Sequence, residues 1–333
     1  MAPHPQRLTV TRRAWPLARP VMIEREVRTA VDVVVAEISD GDSRGRGEGV
    51  PLRRYGESIE SVVAVLDAMK GAVFSGLDRD TLQQAMPPGA ARNALDCAFW
   101  DIDAKRAFRS VAELSGLGAA PPLLTAFTIA FDTPEKMAEH AAANRARPLL
   151  RLELGGHEDV ERVRAVRHAV PASRLIVDAN ESWNEARFRA FMPALVDCRV
   201  ELIEQPLPAG ADDALARLEH AIPLCADCSC RTLADLDRLD GKYEAINIKL
   251  DKAGGLTEAL ALAAEAKRRG LRIMVGGTIG TSLGIAPALL VARLAEIVDL
   301  DGPLHLASDR VPGLRYEGST ICPPDANLWG GPG

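Results

Sequence analysis

Short apolar segments recur through the second half of the chain, and each of them ends in a polar residue. Asp178, Glu204, Asp227 and Lys249 end four consecutive segments, separated by steps of 26, 23 and 22 residues. Each step has room for one strand, one helix and two short loops, so the spacing predicts a repeated βα unit. Strands of such units run parallel and are buried on both faces, and a long series of them favours closure into a barrel.

The three acidic residues of this series indicate a metal site. Parallel strands end on the same rim of a barrel, where barrel enzymes have their active sites. Asp178, Glu204 and Asp227 would repel one another there, so a cation is expected between them. An all-oxygen ligand set predicts Mg²⁺, with Mn²⁺ as the second choice. The alternative is that each acid only caps the helix that follows its strand.

The first third of the chain has a different pattern. Alternating apolar residues predict strands at 7–15 and 29–39, a Gly-rich turn is expected near 41–49, and helical periodicity runs from 57 to 115. Eight strands are predicted between residues 123 and 301. We therefore expect an α+β unit at 1–120, a barrel at 121–310, and a segment at 311–333 that folds back onto the first unit.

The net charge and the hydrophobic pattern limit the kinds of molecule that this protein is expected to bind. The net charge of −6 offers no basic surface for nucleic acid or an anionic membrane. No uncharged apolar run reaches 18 residues. We expect a cytoplasmic enzyme with a small-molecule substrate and neither a nucleic-acid nor a membrane partner. A homo-oligomer is compatible with this architecture. The six cysteines are expected to be reduced thiols.

Several motifs resemble a known superfamily. VDAN at 177–180, IEQP at 203–206, CAD at 225–227 and NIKLDKAGGLTEAL at 247–260 resemble the muconate-lactonizing branch of the enolase superfamily. AARNALDCAFWD at 90–101, FTIAFDTPEKMA at 127–138 and VDLDGP at 298–303 are most similar to the bacterial L-Ala-D/L-Glu dipeptide epimerases. The resemblance implies a modified (β/α)₇β TIM-type barrel beneath an N-terminal α+β capping domain.

The resemblance also implies roles for individual residues. Mg²⁺ would be held by Asp178, Glu204 and Asp227, and Lys249 would remove the α-proton of a carboxylate substrate to form an enediolate. Substrate binding would fall to four residues: Asp299 and Asp301 at the α-ammonium of a dipeptide, Arg25 at its distal carboxylate, and Thr128 in the 127–138 motif. The alternatives are an ion pair of Lys249 with Asp251 or with a carboxylate ligand, a loop cap or a turn at 299–301, and a surface arginine at position 25.

Several positions depart from the family pattern. The family's Lys-x-Lys on the second barrel strand is replaced by Arg151-Leu152-Glu153, and Cys228 stands where the family has glutamate. Arg151 cannot become a neutral base, because guanidinium keeps its proton in proteins. Glu153, however, is a residue type that often serves as a general base. We therefore predict that Arg151 and Glu153 are both catalytic residues, with Glu153 as the second acid/base.

The sequence thus predicts a Mg²⁺-dependent enzyme of the dipeptide epimerase type, with Lys249 on one face of the substrate and Glu153 on the other. Two alternatives stay open: a one-base dehydratase or cycloisomerase of the same superfamily, and a catalytically impaired barrel that binds a small amino-carboxylate ligand. A weaker hypothesis concerns the Gly-rich segment 276–282, because barrels often bind phosphate at this place.

Overall fold

The computed structural model describes residues 6–23, 26–118 and 121–332. Its strands are β1 (Arg7–Ile23), β2 (Glu26–Ser39), β3 (Arg44–Gly49), β4 (Leu123–Leu124), β5 (Phe127–Ile129), β6 (Leu149–Glu153), β7 (Arg174–Asp178), β8 (Val200–Glu204), β9 (Leu224–Ala226), β10 (Ala245–Ile248), β11 (Arg272–Gly276), β12 (Ile297–Asp299), β13 (Tyr316–Glu317) and β14 (Thr320–Ile321).

The α-helices of the described residues fall into two groups. The first group follows the N-terminal sheet, and the second alternates with the strands β5 to β12. They are α1 (Ile59–Ala68), α2 (Lys70–Phe74), α3 (Arg79–Ala85), α4 (Ala90–Arg106), α5 (Val111–Leu114), α6 (Pro134–Ala143), α7 (Asp159–Ala169), α8 (Glu185–Asp197), α9 (Leu250–Ala253), α10 (Leu256–Arg268), α11 (Ser282–Ile285) and α12 (Ala288–Ala292).

The N-terminal unit, called the cap below, is the antiparallel sheet β1-β2-β3 with α1 to α5. Its longest helix, α4, lies directly against β3. Gly45, Gly47 and Gly49 share one face of that strand, and a Cβ on any of them would come within 2.2 Å of a carbonyl oxygen of α4. Glycine is therefore required for this close approach. The turn between β2 and β3 lies at residues 40–43, and the 44–49 part of the predicted Gly-rich turn is a strand of the sheet instead.

Strands β5 to β12 form one parallel eight-stranded sheet that curls into a nearly closed barrel. The amide N–H of Ala126, just before β5, donates to the carbonyl of Val298 in β12 at 2.7 Å and joins the two edges. One buried layer inside the barrel takes a residue from each strand or from the position just before it: Ala126, Leu149, Ile176, Leu202, Cys225, Ala245, Met274 and Ile297. The predicted fold class, a TIM-type barrel with an N-terminal cap, is confirmed.

Three predicted helices differ from the structure. The regions 212–220 and 232–239 contain short 3₁₀ helices, Asp213–Arg217 and Leu233–Arg238. The predicted helix at 282–295 is two short helices, α11 and α12, separated at Pro287. Apolar spacing over one or two turns does not distinguish a 3₁₀ helix from an α-helix, which explains the error.

The C-terminal residues contact both parts of the molecule. β14 pairs with β13 on one side and with β4 on the other. The indole N–H of Trp329 then donates to the carbonyl of Cys97 in α4 at 3.1 Å, and Gly330 N donates to Asp101 at 2.8 Å. The boundaries at residues 120 and 310 stay predictions. Among the described residues, no helix is long and apolar enough to cross a membrane.

Candidate active site

The three predicted metal ligands meet at one rim of the barrel. Asp178 ends β7, Glu204 ends β8, and Asp227 follows β9, so that the strand register brings them side by side. One carboxylate oxygen from each lies within 4.8 Å of the others, and all three residues are buried. Burial and the neighbouring Glu204 raise the pKa of Asp178 well above its usual range. A cation at this place would remove that repulsion.

The guanidinium of Arg151 links the predicted metal ligands to the rest of the rim. It donates to Glu153 and Asp178, and its Nε lies 2.9 Å from Glu204 Oε2 and 3.4 Å from Asp299 Oδ2. Burial acts to lower the pKa of Arg151, but these carboxylates raise it well above its usual range. Arg151 is therefore a fixed cation and not a proton shuttle.

Two lysines approach Asp227 from the other side. Lys249 Nζ donates to Asp227 Oδ2 at 2.9 Å and lies 3.6 Å from Glu204 Oε1. Lys252 Nζ lies 2.6 Å from Asp227 Oδ1 and donates to three backbone carbonyls, including that of residue 227 itself. Although burial acts to raise it, both lysines hold the pKa of Asp227 well below its usual range. Of the two alternative ion pairs of Lys249, the one with Asp251 is not formed, because Asp251 accepts from Val50 N, Asn93 and Thr278. The one with a carboxylate of the predicted metal site is the contact to Asp227.

Glu153 is held in a single orientation. Arg151 donates to its Oε1, and the side-chain amide of Asn180 donates to its Oε2 at 2.6 Å. The backbone N–H of Asn180 donates to Asp178 Oδ1 at 2.8 Å. Asn180 thus contacts both a predicted metal ligand and the predicted second acid/base. Asn180 has a left-handed φ of 48°, a conformation that asparagine adopts more readily than most residues.

Asp299 ends β12 on the same rim, and Asp301 follows it by two residues. Asp301 accepts from Thr128 N at 2.7 Å and lies 3.0 Å from the Nε2 of His305. The hydroxyl of Thr128 donates to Asp299 at 3.4 Å. Burial raises the pKa of Asp299 to about 7, and although burial acts in the opposite direction, Asp301 raises the pKa of His305. Thr128 therefore orients this acidic pair.

A cavity of about 460 Å³ lies between this rim and the cap. Its barrel side includes Glu153, Asp178, Asp227, Lys249, Asp299 and Asp301, and its cap side includes Arg12, Arg28, Val31, Arg53 and Ile59. Beside it lies a second cavity of about 860 Å³ that also reaches Glu153 and Lys249, and Cys228 lines it. The predicted substrate residue Arg25 lies outside the described residues.

Two family comparisons cover nearly all of this architecture. Residues 6–116 match the N-terminal domain of the mandelate racemase and muconate lactonizing enzyme family. Residues 136–327, which hold the three acids and Lys249, match the enolase C-terminal domain-like family. The chain belongs to the mandelate racemase and muconate lactonizing enzyme family.

Similar members of this family are dipeptide epimerases. The L-Ala-D/L-Glu epimerase of Escherichia coli (strain K12) is 45% identical over 305 residues, which are 91% of this chain and 95% of that protein. A crystal structure from Agrobacterium tumefaciens, of an enolase family member with homology to dipeptide epimerases, is 51% identical with a TM-score of 0.96. It covers 98% of this chain and 100% of its own, and it holds sodium and L-Ala-L-Glu.

A more distant structure contains the predicted ion. The dipeptide epimerase of Enterococcus faecalis V583, complexed with Mg and L-Leu-L-Tyr, is 26% identical with a TM-score of 0.88 and covers 96% of this chain and 98% of its own. These homologues confirm the prediction of an enolase-superfamily isomerase of the dipeptide epimerase type and of Mg²⁺ as its cofactor. They leave the role of each residue as a prediction.

The charges at the rim of this family member suit a divalent ion. Two groups of buried or half-buried side chains meet there: the carboxylates of Glu153, Asp178, Glu204, Asp227 and Asp299, and the cations Arg151, Lys249 and Lys252. When all five carboxylates are ionised, five negative charges face three positive ones, and a dication would balance the excess of two. Oxygen ligands and this charge excess fit Mg²⁺. Asp178, Glu204 and Asp227 are the residues that would hold it.

The phosphate hypothesis for residues 276–282 is not supported. The N–H of Thr281 donates to the buried carboxylate of Glu48 at 2.8 Å, and the N–H of Ser282 donates to Asp309 at 3.1 Å. Two carboxylates of the protein itself therefore occupy these two donors, which are then not open to a phosphate. The Gly-rich segment instead joins the cap to the barrel through Glu48 of β3.

Sequence reasoning did not single out three residues of the rim: Asn180, Lys252 and His305. Asn180 and Lys252 lie inside the VDAN and NIKLDKAGG motifs, so their place in a motif was the available signal. His305 follows Asp301 by four residues, a separation that only the 3₁₀ turn Gly302–His305 converts into a contact.

Proposed function

We propose that this protein is a Mg²⁺-dependent epimerase that removes the α-proton of the C-terminal residue of a dipeptide and returns a proton to the opposite face. The substrate would be L-Ala-L-Glu or a similar dipeptide. The observation that supports this most directly is that Lys249 and Glu153 line one cavity together with Asp178, Asp227, Asp299 and Asp301. Proton-transfer groups, metal ligands and an ammonium site thus face the same space of about 460 Å³.

Lys249 is the proposed base on one face. A lysine must be neutral to accept a proton, and burial of Lys249 favours the neutral form. Asp227 and Glu204 oppose this effect and raise the pKa of Lys249 well above its usual range. A dication held by the same two carboxylates would offset their influence and would neutralise charge that develops on the substrate carboxylate. Lys249 would then hold the abstracted proton at Nζ.

Glu153 is the proposed acid/base on the other face. Arg151 and Asn180 each donate to one of its oxygens and hold the carboxylate in place. A positioned carboxylate can take or return a proton at the α-carbon, as carboxylates do in many enzymes. Arg151 would keep its charge throughout and orient Glu153, Asp178 and Glu204. The pair of proton-transfer groups is therefore chemically unequal, an amine on one face and a carboxylate on the other.

The acidic pair that lines this cavity is the proposed site for the substrate's α-ammonium. Asp299 and Asp301 are both buried and are oriented by Thr128. An ammonium would compensate their charge, which the neighbouring Arg151 and His305 balance only in part. Arg25 stays the proposed contact for a distal carboxylate. A cytoplasmic location and a homo-oligomer also stay predictions.

Deuterium exchange tests the proposal. The protein is incubated in D₂O with Mg²⁺ and either L-Ala-L-Glu or L-Ala-D-Glu, and loss of the α-proton of Glu is followed by NMR. We expect exchange with both diastereomers for the natural protein. Lys249→Met should abolish the exchange that begins with proton removal from one face of the α-carbon. Glu153→Gln should abolish the exchange that begins with proton removal from the opposite face. Lys267→Met, an exposed change on α10, is the control.

The outcomes separate the candidate functions. If Glu153→Gln is nearly silent while Lys249→Met is inactive, a one-base reaction of the same superfamily replaces epimerisation. If no dipeptide exchanges with Mg²⁺ present, the proposed activity is wrong. Removal of the metal with EDTA should stop exchange, and added Mg²⁺ should restore it.

A further inference from the structure

The turn after β8 contains a residue in a strained conformation. Gln205 follows the metal ligand Glu204 directly, has a φ of 38°, and is 1% exposed. A left-handed backbone at a residue other than glycine costs free energy, and such residues cluster at functional sites. The strain therefore calls for an interaction that only this side chain, in this conformation, makes.

That interaction is with the loop that holds Asp227. The side-chain oxygen of Gln205 accepts from the backbone N–H of Asp227 at 2.9 Å and from that of Ser229 at 3.1 Å. The backbone N–H of Gln205 donates to the carbonyl of Cys225 at 2.9 Å, which is the last rung between the two strands. The next residue is Pro206, and the chain turns away there. The side-chain amide of Gln205 thus accepts the hydrogen bond from Asp227 N–H that a backbone carbonyl would accept if the two strands continued.

The Asp227 loop needs this support more than its neighbours do. β9 has only three residues, and the elements on both sides of it are short 3₁₀ helices and not α-helices. Asp227 itself lies just beyond the last residue of the strand. Without Gln205 its backbone N–H would be buried and unpaired, which is unfavourable for this conformation of the loop.

The other end of the Gln205 amide is also fixed. Its Nε2 lies within hydrogen-bond distance of Leu207 O, the Ser229 hydroxyl and the Tyr243 hydroxyl. The hydroxyls of Ser229 and Tyr243 donate in turn to Asp212, at 2.6 and 2.8 Å. This network fixes which way the amide faces, so its oxygen is presented to the Asp227 loop.

We propose that Gln205 is a positioning residue for the metal site: it sets the Asp227 loop so that the Asp227 carboxylate meets those of Asp178 and Glu204. The inference rests on the metal site of the proposed function. It assigns to Gln205 no contact with substrate and no proton transfer. Partners that orient metal ligands typically change metal affinity 10- to 100-fold when they are removed.

The test measures binding of Mn²⁺ alone, from the electron paramagnetic resonance signal of the free ion. Gln205→Gly removes the amide and keeps a backbone that tolerates the left-handed turn. We expect it to weaken Mn²⁺ binding 10- to 100-fold. Gln205→Asn, which also tolerates this φ but is one carbon too short to reach both N–H groups, should weaken binding as well and serves if the glycine variant does not fold.

Tyr243→Phe is the matched control. It removes the hydrogen bonds of the Tyr243 hydroxyl to Gln205 and to Asp212, at the far end of the same network, and leaves both bonds to the Asp227 loop intact. We expect it to lower the thermal midpoint and to change the Mn²⁺ dissociation constant less than 3-fold. Equal Mn²⁺ affinity of the natural protein and both Gln205 variants would overturn the inference, as would an equal loss in Tyr243→Phe. If the natural protein itself bound no Mn²⁺, the proposed function would fail first.

Discussion

Substitution of Gly47 by alanine tests how the cap is built. The added Cβ would lie 2.1 Å from the carbonyl oxygen of Ala94 and 2.8 Å from the amide nitrogen of Ala98, both in α4. Ordinary contacts of a Cβ begin near 3.4 Å, so α4 would have to retreat by roughly 1 Å. The obstacle is helix backbone, which cannot rotate away as a side chain would.

The loss of stability expected for Gly47→Ala follows from the packing of α4. Forcing extra volume into a close-packed interior costs about 1–3 kcal/mol, and a clash with backbone belongs at the upper end of that range. We therefore expect Gly47→Ala to lower the free energy of unfolding by about 3 kcal/mol. Because α4 also donates from Asn93 to Asp251 and from Arg92 to the carbonyl of Ala253, its displacement should loosen the contact between cap and barrel.

Urea denaturation followed by tryptophan fluorescence measures the effect. The control is Gly71→Ala in α2, where an added Cβ has nothing within 4 Å and should stabilise the helix by about 0.5–1 kcal/mol. The two variants make the same chemical change, and the expected results have opposite signs. A Gly47→Ala protein as stable as the natural one would refute the argument that glycine is needed for the close approach of β3 and α4.

Two further predictions concern buried charges. Lys252→Met should lower the free energy of unfolding by about 3–5 kcal/mol, because three carbonyls and the Asp227 carboxylate lose a buried partner. Urea denaturation measures the change, with the exposed substitution Lys267→Met as the control. A loss below about 1 kcal/mol would contradict the prediction. Burial raises the pKa of Asp96 to about 6 from 3.8, so this group favours folding at low pH and its contribution, on the order of 3 kcal/mol, is lost as the pH rises from about 4 through 6. Asp96→Asn should remove this dependence of stability on pH. If the free energies of unfolding of the two proteins changed in parallel between pH 4 and 7, the role of Asp96 would be ruled out.

The order of the barrel and the meeting of its acids followed from the sequence alone. The steps between Asp178, Glu204, Asp227 and Lys249 match the length of a βα unit, and parallel strands place their ends on one rim whatever the helices between them do. Alternation along a strand also puts Arg151 and Glu153 on one face. These inferences depend on local periodicity and on the geometry of parallel strands, both of which a sequence contains.

The contacts of those residues were decided by the tertiary structure. Sequence alone does not indicate that the Arg151 guanidinium reaches Asp299 as well as Asp178, or that Gln205 replaces a missing rung beside Asp227. Nor does it show that the glycines of β3 admit a helix backbone. Such contacts join residues distant in sequence through curvature of the barrel, side-chain rotamers and packing of the cap. Local patterns determine which elements form and which way their residues point, whereas partners across the rim depend on how all eight strands close.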